Sequence, residues 1–104
     1  MYRVAIIGHS QVPRNFDPLE GVEIRVFRKP GARLAEFDNY PEFQEVFNWP
    51  HNLNIIFLGG NDIPSMPAEE IANGLITLAR RFTALGQDAT LVKIEPRSYY
   101  QFSK

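Results

Sequence analysis

The sequence predicts an α/β fold built on a parallel sheet of about four strands. Four short apolar runs are separated by turn residues or by helical patterns, an alternation typical of βαβ units. One of these runs, residues 4–8, is continuously apolar, as in a strand that helices cover on both faces. A chain of 104 residues has room for one such unit, so we expect residues 1–104 to form a single domain.

The four predicted strands differ in pattern. Residues 4–8 form a continuous apolar run that ends in glycine, which indicates a central strand. In residues 22–27 apolar and polar side chains alternate, which indicates a strand nearer the edge of the sheet. Residues 53–58 are followed by two glycines and again predict a central strand. Residues 90–94 predict the fourth strand, which Pro96 stops.

Residues 67–85 carry the clearest helical pattern. Their apolar side chains recur at spacings of three and four, with glutamates in the first turn and arginines in the last turns. Ser65 is a candidate N-cap for this helix, and Gly86 suits a left-handed residue that closes it.

The other connections predict less helix. Residues 41–48 have the pattern of a short helix, and residues 32–37 have that of one or two turns. Residues 11–21 contain two prolines and are close to the shortest length that can cross between parallel strands. We therefore expect an irregular loop or a single short helix there.

Composition excludes several classes of protein. Lys and Arg number 11 against 12 Asp and Glu, whereas a general nucleic-acid binder is usually strongly basic. The chain has no cysteine, which excludes a disulfide framework, a thiolate zinc site and a cysteine nucleophile. The first apolar run is too short for a signal peptide or a membrane span, so we expect a soluble, intracellular domain.

Glycines and polar residues follow the predicted strands, at the edge where parallel α/β sheets bind ligands. Ser10 follows the first strand, on a turn that can present its hydroxyl. Gly31 can offer a backbone N–H because a residue without Cβ lets the chain approach a ligand closely. Asn61, after two glycines, can offer a side-chain amide. A serine with convergent hydrogen-bond donors predicts acyl transfer through an oxyanion.

These residues resemble the first three sequence blocks of the SGNH (GDSL) hydrolases. The blocks are Gly-His-Ser at residues 8–10, the loop with Gly31, and Gly-Gly-Asn-Asp at residues 59–62, which is the most specific. Their order and spacing agree over essentially the whole chain. The resemblance implies a flavodoxin-like three-layer α/β/α sandwich with strand order 2-1-3-4. It also implies a serine esterase that acts on acyl esters and needs no metal or organic cofactor.

The resemblance assigns roles to three residues. Ser10 would be the nucleophile, and the oxyanion hole would combine the backbone amides of Ser10 and Gly31 with the side chain of Asn61. His9 departs from the family pattern, which usually has Asp before the serine. The family's final Asp-x-x-His block, which supplies the general base and its orienting acid, is absent from the sequence. We therefore expect a domain without the family's last strand and helix, and with weak or no turnover.

Other residues are poor substitutes for that base. His51 precedes the third strand and lies roughly 20 Å from its carboxyl end, at about 3.3 Å per residue. His9 adjoins Ser10, but consecutive side chains of an extended chain point to opposite faces. Asp62 and Glu95 are nearer in topology, yet an ionised carboxylate is a weak base at neutral pH unless burial raises its pKa. His9 and Asp62 are therefore expected beside the substrate.

A catalytically silent, hydrolase-derived interaction module, of a kind found in proteins of mobile elements, is the alternative hypothesis. It would bind protein or RNA through a basic cluster around the second strand, namely Arg25, Arg28, Lys29 and Arg33. Nucleic acid is the less favoured partner. Without a fifth strand, the fourth would be an edge open to pairing. We expect self-association there, through Leu91, Val92 and Ile94 and through the aromatic tail Tyr99, Tyr100 and Phe102.

Overall fold

The computed structural model describes residues 1–9 and 20–92, and in this part four strands form one parallel sheet. The strands are β1 (Tyr2–Gly8), β2 (Val22–Arg28), β3 (Leu53–Phe57) and β4 (Asp88–Leu91). Their order across the sheet is β2-β1-β3-β4. The predicted α/β, flavodoxin-like fold and its strand order are therefore confirmed.

The strand register brings the carboxyl ends of three strands to one level. Gly8, the last residue of β1, pairs with Arg28 on β2 and with Phe57 on β3. The N–H of Lys29 donates to the carbonyl of Gly8 at 2.9 Å, so pairing continues one residue past β2. The loops that follow β1, β2 and β3 consequently start at the same edge of the sheet.

The described helices follow the predicted order. After β2 come a 3-10 helix (Leu34–Asn39), helix α1 (Pro41–Gln44) and a second 3-10 helix (Glu45–Asn48). After β3 come a 3-10 turn (Gly60–Asp62) and helix α2 (Ala68–Thr83). None of the helices in residues 1–9 and 20–92 is long and apolar enough to span a membrane.

The two ends of α2 differ in how well the sequence predicts them. At the carboxyl end, Gly86 has φ +82°, and its N–H donates to the carbonyl of Thr83 at 3.0 Å. The N–H of Gln87 donates to the carbonyl of Phe82 at 3.2 Å, which completes a Schellman motif. At the amino end the Ser65 prediction is wrong: Pro67 directly precedes the helix, and no side chain caps it.

The main core lies between one face of the sheet and the helices. Phe37 and Phe43 stack with ring centroids 4.9 Å apart, and Phe47 stacks on Phe82 at 5.2 Å. The buried members of this core are Ala5, Ile7, Phe27, Ala32, Phe37, Phe43, Val46, Ile56, Leu58, Leu78 and Phe82. They come from three strands and from the three sequence regions predicted as helical at residues 32–37, 41–48 and 67–85, so the core fixes the segments that follow β2 and β3.

The opposite face of the sheet has a smaller apolar cluster. Val4 and Ile6 of β1 are buried there among partly buried strand residues, namely Val22, Ile24, Val26, Leu53, Ile55 and Phe57. These side chains explain why residues 4–8 are apolar throughout, since β1 contributes to a cluster on each face. Residues 10–19 and 93–104 lie outside the described part of the chain.

Candidate active site at the carboxyl ends of β1, β2 and β3

Most of the predicted site falls within the described residues. His9 directly follows β1, Gly31 lies in the loop after β2, and Asn61 and Asp62 lie in the loop after β3. Ser10, the predicted nucleophile, lies outside the described residues, as does Glu95. The structure therefore describes the parts of the predicted site other than its nucleophile and Glu95.

Gly31 occupies a tight turn. The N–H of Ala32 donates to the carbonyl of Lys29 at 3.2 Å, and Gly31 has φ +77°. With Pro30 before it, this is the arrangement of a type II β-turn, whose third residue must tolerate positive φ. An added Cβ on Gly31 would meet nothing within 4 Å, so the backbone conformation and not crowding favours glycine. Its exposed N–H has no hydrogen-bond partner among the described residues.

Asn61 reaches across to that same loop. Its side-chain Nδ2 donates to the carbonyl of Ala32, the residue after Gly31, at 3.1 Å. A primary amide has two N–H groups, and this bond uses one of them. Gly59, two residues earlier, has φ +109°, and an added Cβ would lie 3.0 Å from Cγ2 of Ile71, so glycine suits the point where this loop packs on α2. The structure therefore brings the Gly31 loop and the Asn61 amide together.

Asp62 holds the same two loops together from inside. It is 1% exposed, and both carboxylate oxygens accept from the N–H of Leu34, at 3.2 and 3.1 Å. Leu34 is the first residue of the 3-10 helix (Leu34–Asn39), so the carboxylate satisfies an N–H that the helix itself cannot. Burial raises the pKa of Asp62, while the Leu34 N–H and the charge of Arg33 oppose that shift. Asp62 thus has a structural role here.

His9 is buried beside Asp62. Its side chain is 3% exposed, and burial lowers the pKa of the imidazole, while the negative charge of Asp62 acts in the opposite direction. A lowered pKa leaves the ring neutral at pH 7, and a neutral imidazole can accept a proton. His9 is therefore in the protonation state that a base requires, directly before Ser10 in the chain.

His51 belongs to a separate polar network at the amino end of β3. Its Nε2 lies 2.6 Å from Oδ1 of Asn54, and its Nδ1 lies 2.5 Å from the carbonyl of Trp49. Asn54, fully buried in β3, also donates to Oε1 of Gln87 at 3.0 Å. Both ring nitrogens of His51 thus contact neighbouring groups, at the end of β3 away from Asn61.

Two members of the basic cluster around β2, Arg25 and Lys29, are engaged within the chain. Arg25 lies over the rings of Phe27 and Trp49, at 5.3 and 5.7 Å from their centroids. Lys29 pairs with Glu42 at 3.5 Å and lies 5.8 Å from the ring centroid of Tyr40. Contacts of this kind shield the cationic groups and reduce their capacity to bind a phosphate backbone.

An apolar groove of about 430 Å³ lies on the other side of the β3–α2 loop, between α2 and β4. It is lined by Leu58, Gly59, Ile63, Met66, Ala68, Ile71, Ala72, Leu75, Leu91 and Val92. Within residues 1–9 and 20–92, no group of three or more His, Asp or Glu side chains is placed to hold a metal ion.

No protein-family model matches the chain, and no curated protein matches it significantly. The chemistry must therefore be argued from the site itself. The backbone N–H of Gly31, which has no hydrogen-bond partner among the described residues, and the side-chain amide of Asn61 lie in the loops that follow β2 and β3, the two neighbours of β1. Two such donors can stabilise a developing negative charge on a carbonyl oxygen.

Proposed function

We propose that the chain is an SGNH-type serine esterase domain that acts on acyl esters. Ser10 is the nucleophile, and Gly31 and Asn61 supply the oxyanion hole. The observation that carries the proposal is the meeting of the Asn61 amide with the loop after Gly31, at 3.1 Å, beside the carboxyl end of β1. The strand order, which places β1 between β2 and β3, supports it because three adjacent loops then share one edge.

The reaction follows the usual course of acyl transfer. Oγ of Ser10 bonds to the ester carbonyl carbon while its proton passes to a base, and the carbonyl oxygen becomes an oxyanion. The N–H of Gly31 and the second N–H of Asn61 donate to that oxyanion. The tetrahedral intermediate then expels the alcohol and leaves an acyl-Ser10 ester, which water hydrolyses. Each oxyanion donor is typically worth a factor of about 10²–10³ in rate.

The expected turnover is limited because neither histidine of the sequence is well placed to act as the general base. The sequence has two histidines, and the contacts of His51 hold it at the amino end of β3. His9 is neutral, but it is buried directly after β1 and does not belong to an Asp-x-x-His block, which places the family's base elsewhere in the chain. We therefore propose that acylation of Ser10 is faster than deacylation in this chain.

A short-chain nitrophenyl ester tests the proposal. We expect a burst of about one equivalent of nitrophenol per chain, followed by slow release, because the acyl-serine accumulates. Ser10→Ala should remove the burst. Ser65→Ala, which changes an exposed serine of the β3–α2 loop, should retain it. Equal nitrophenol release from wild type and Ser10→Ala would overturn the proposed chemistry.

The interaction module is the second candidate, and the open edge of β4 beside the apolar groove favours it. RNA binding at the basic cluster around β2 is the less favoured form of this candidate, because Arg25 and Lys29 are engaged with aromatic rings and Glu42. A chain that associates with a partner but gives no Ser10-dependent burst would support this candidate over the esterase.

A further inference from the structure

We propose that the open edge of β4 and the adjoining flank of α2 form a two-fold interface with a second copy of this chain. Among the described strands β4 pairs only with β3, so within residues 1–9 and 20–92 its other edge has no partner strand, and we refer to it as the open edge. The apolar groove lies directly beside that edge. This inference is independent of the serine chemistry, since none of its residues belongs to the proposed oxyanion hole.

The backbone of β4 offers an ordered set of bonding groups. On the side that faces β3, the N–H of Asp88 donates to the carbonyl of Asn52 at 2.9 Å, and the N–H of Val92 donates to the carbonyl of Ile56 at 3.0 Å. Because alternate residues of a strand bond to opposite sides, Ala89 and Leu91 direct their N–H and C=O groups to the open edge. Leu91 is also 39% exposed, which is unusual for a leucine in a strand. Such an edge is a template for another strand.

The edge is complementary to itself when two copies run antiparallel. With the two-fold axis at Thr90, Ala89 of one copy lies opposite Leu91 of the other. Each of these two pairs can exchange both of its backbone hydrogen bonds, and Thr90 then faces Thr90 as a non-hydrogen-bonded pair. Threonines opposite each other on a sheet face are a favourable cross-strand pair.

The helices fit the same arrangement. Ala68, Ala72 and Ile76 recur every four residues along one flank of α2, and Ile76 is 41% exposed. Strands lie about 4.8 Å apart, so a helix packed over β3 and β4 would approach its two-fold mate to about 10 Å. Helices pack at about 8–10 Å, and alanine permits the shorter distances. In the dimer, α2 of the second copy would therefore cover the groove, and β4 of the second copy would cover the strand edge.

Charge favours the antiparallel second copy as the occupant. The first turn of α2 carries Glu69 and Glu70, and its last turn carries Arg80 and Arg81. Arg81 forms a salt bridge with Asp38, with its guanidinium nitrogen 2.9 Å from Oδ1. Glu69 and Arg80 form no ion pair among the described residues. A two-fold axis makes the two α2 helices antiparallel, so the acidic end of each lies near the basic end of the other.

Sedimentation equilibrium over about 1–100 μM tests the interface, because this range covers micromolar dissociation constants. We expect a monomer–dimer equilibrium in wild type and at least a tenfold higher dissociation constant in Leu91→Lys, which places a charge at the edge. Leu85→Lys is the matched control: Leu85 is 58% exposed beyond the end of α2, so this variant should dimerise like wild type. A wild-type monomer at all concentrations, or equal effects of both variants, would overturn the proposal.

Cysteine cross-linking tests the register. The chain has no cysteine, so Thr90→Cys introduces a single thiol. Non-hydrogen-bonded antiparallel pairs have Cα atoms about 4.5 Å apart, which lies within the range of disulfides. We expect mild oxidation to give a covalent dimer with Thr90→Cys and not with Thr77→Cys, an exposed site on α2. Equal cross-linking of the two variants, or none in Thr90→Cys, would overturn the proposed pairing of β4 with its copy.

Discussion

Replacement of Asn61 by alanine is expected to slow acylation of Ser10 by about 10²–10³-fold, the usual cost of one oxyanion donor. The physical reason is that the Asn61 amide has one N–H committed to the carbonyl of Ala32, at 3.1 Å, and a second available for the developing oxyanion. Alanine removes both. The measurement is the second-order rate constant for labelling with a fluorophosphonate, in which Oγ of Ser10 displaces fluoride from phosphorus.

Two controls separate chemistry from folding in that experiment. Asn48→Ala changes an exposed asparagine at the end of the second 3-10 helix (Glu45–Asn48) and should label at the wild-type rate. Thermal unfolding of Asn61→Ala reports the loss of its bond to Ala32, which should cost about 1 kcal/mol. Labelling of Asn61→Ala at the wild-type rate would contradict the assignment of Asn61 to the oxyanion hole.

Replacement of Phe82 by alanine is expected to destabilise the fold by about 3–5 kcal/mol. Phe82 is fully buried on α2, stacks on Phe47 at 5.2 Å and contacts His51 edge to face at 6.5 Å. Removing its ring leaves a cavity among residues from α2, β3 and the segment before β3. Because small domains are stable by only about 5–15 kcal/mol, this single change removes a large part of the total. The urea midpoint, followed by circular dichroism, measures it.

The matched control for Phe82→Ala is Leu85→Ala, one turn further along the same region of the chain. Leu85 is 58% exposed, so its truncation should change the free energy of unfolding by less than about 0.5 kcal/mol. A loss below about 1 kcal/mol in Phe82→Ala would mean that α2 does not pack on the sheet as described.

The central strands were predictable because their residues are apolar on both faces. Residues 4–8 indicate a strand covered on two sides, and β1 does contribute to both apolar clusters. The alternating pattern after Val22 indicates an edge strand, and β2 is one. The start of β4 was not predictable, since Asp88 joins the sheet through its backbone N–H and its side chain carries no strand signal.

Part of the site was predictable because glycines mark its turns. Gly31 and Gly59 both have positive φ, so glycine in the sequence marks the turns that bring the loops together. The bond from Asp62 to the N–H of Leu34 joins residues 28 apart, and no local pattern indicates it. At Ser65 the local sequence pattern predicts a helix cap that the structure does not have. The Ser65 hydroxyl lies 3.4 Å from the carbonyl of Asp62, and this contact within the loop replaces the expected cap.

The most direct test of the proposed esterase is to locate a fluorophosphonate adduct by peptide mass spectrometry. If Ser10 is the nucleophile of an oxyanion site formed by Gly31 and Asn61, the adduct lies on Ser10 and is absent from Ser10→Ala. Labelling should also be faster than that of the exposed Ser65 in the same molecule. No adduct on Ser10, or labelling at Ser65 of equal rate, would contradict the account.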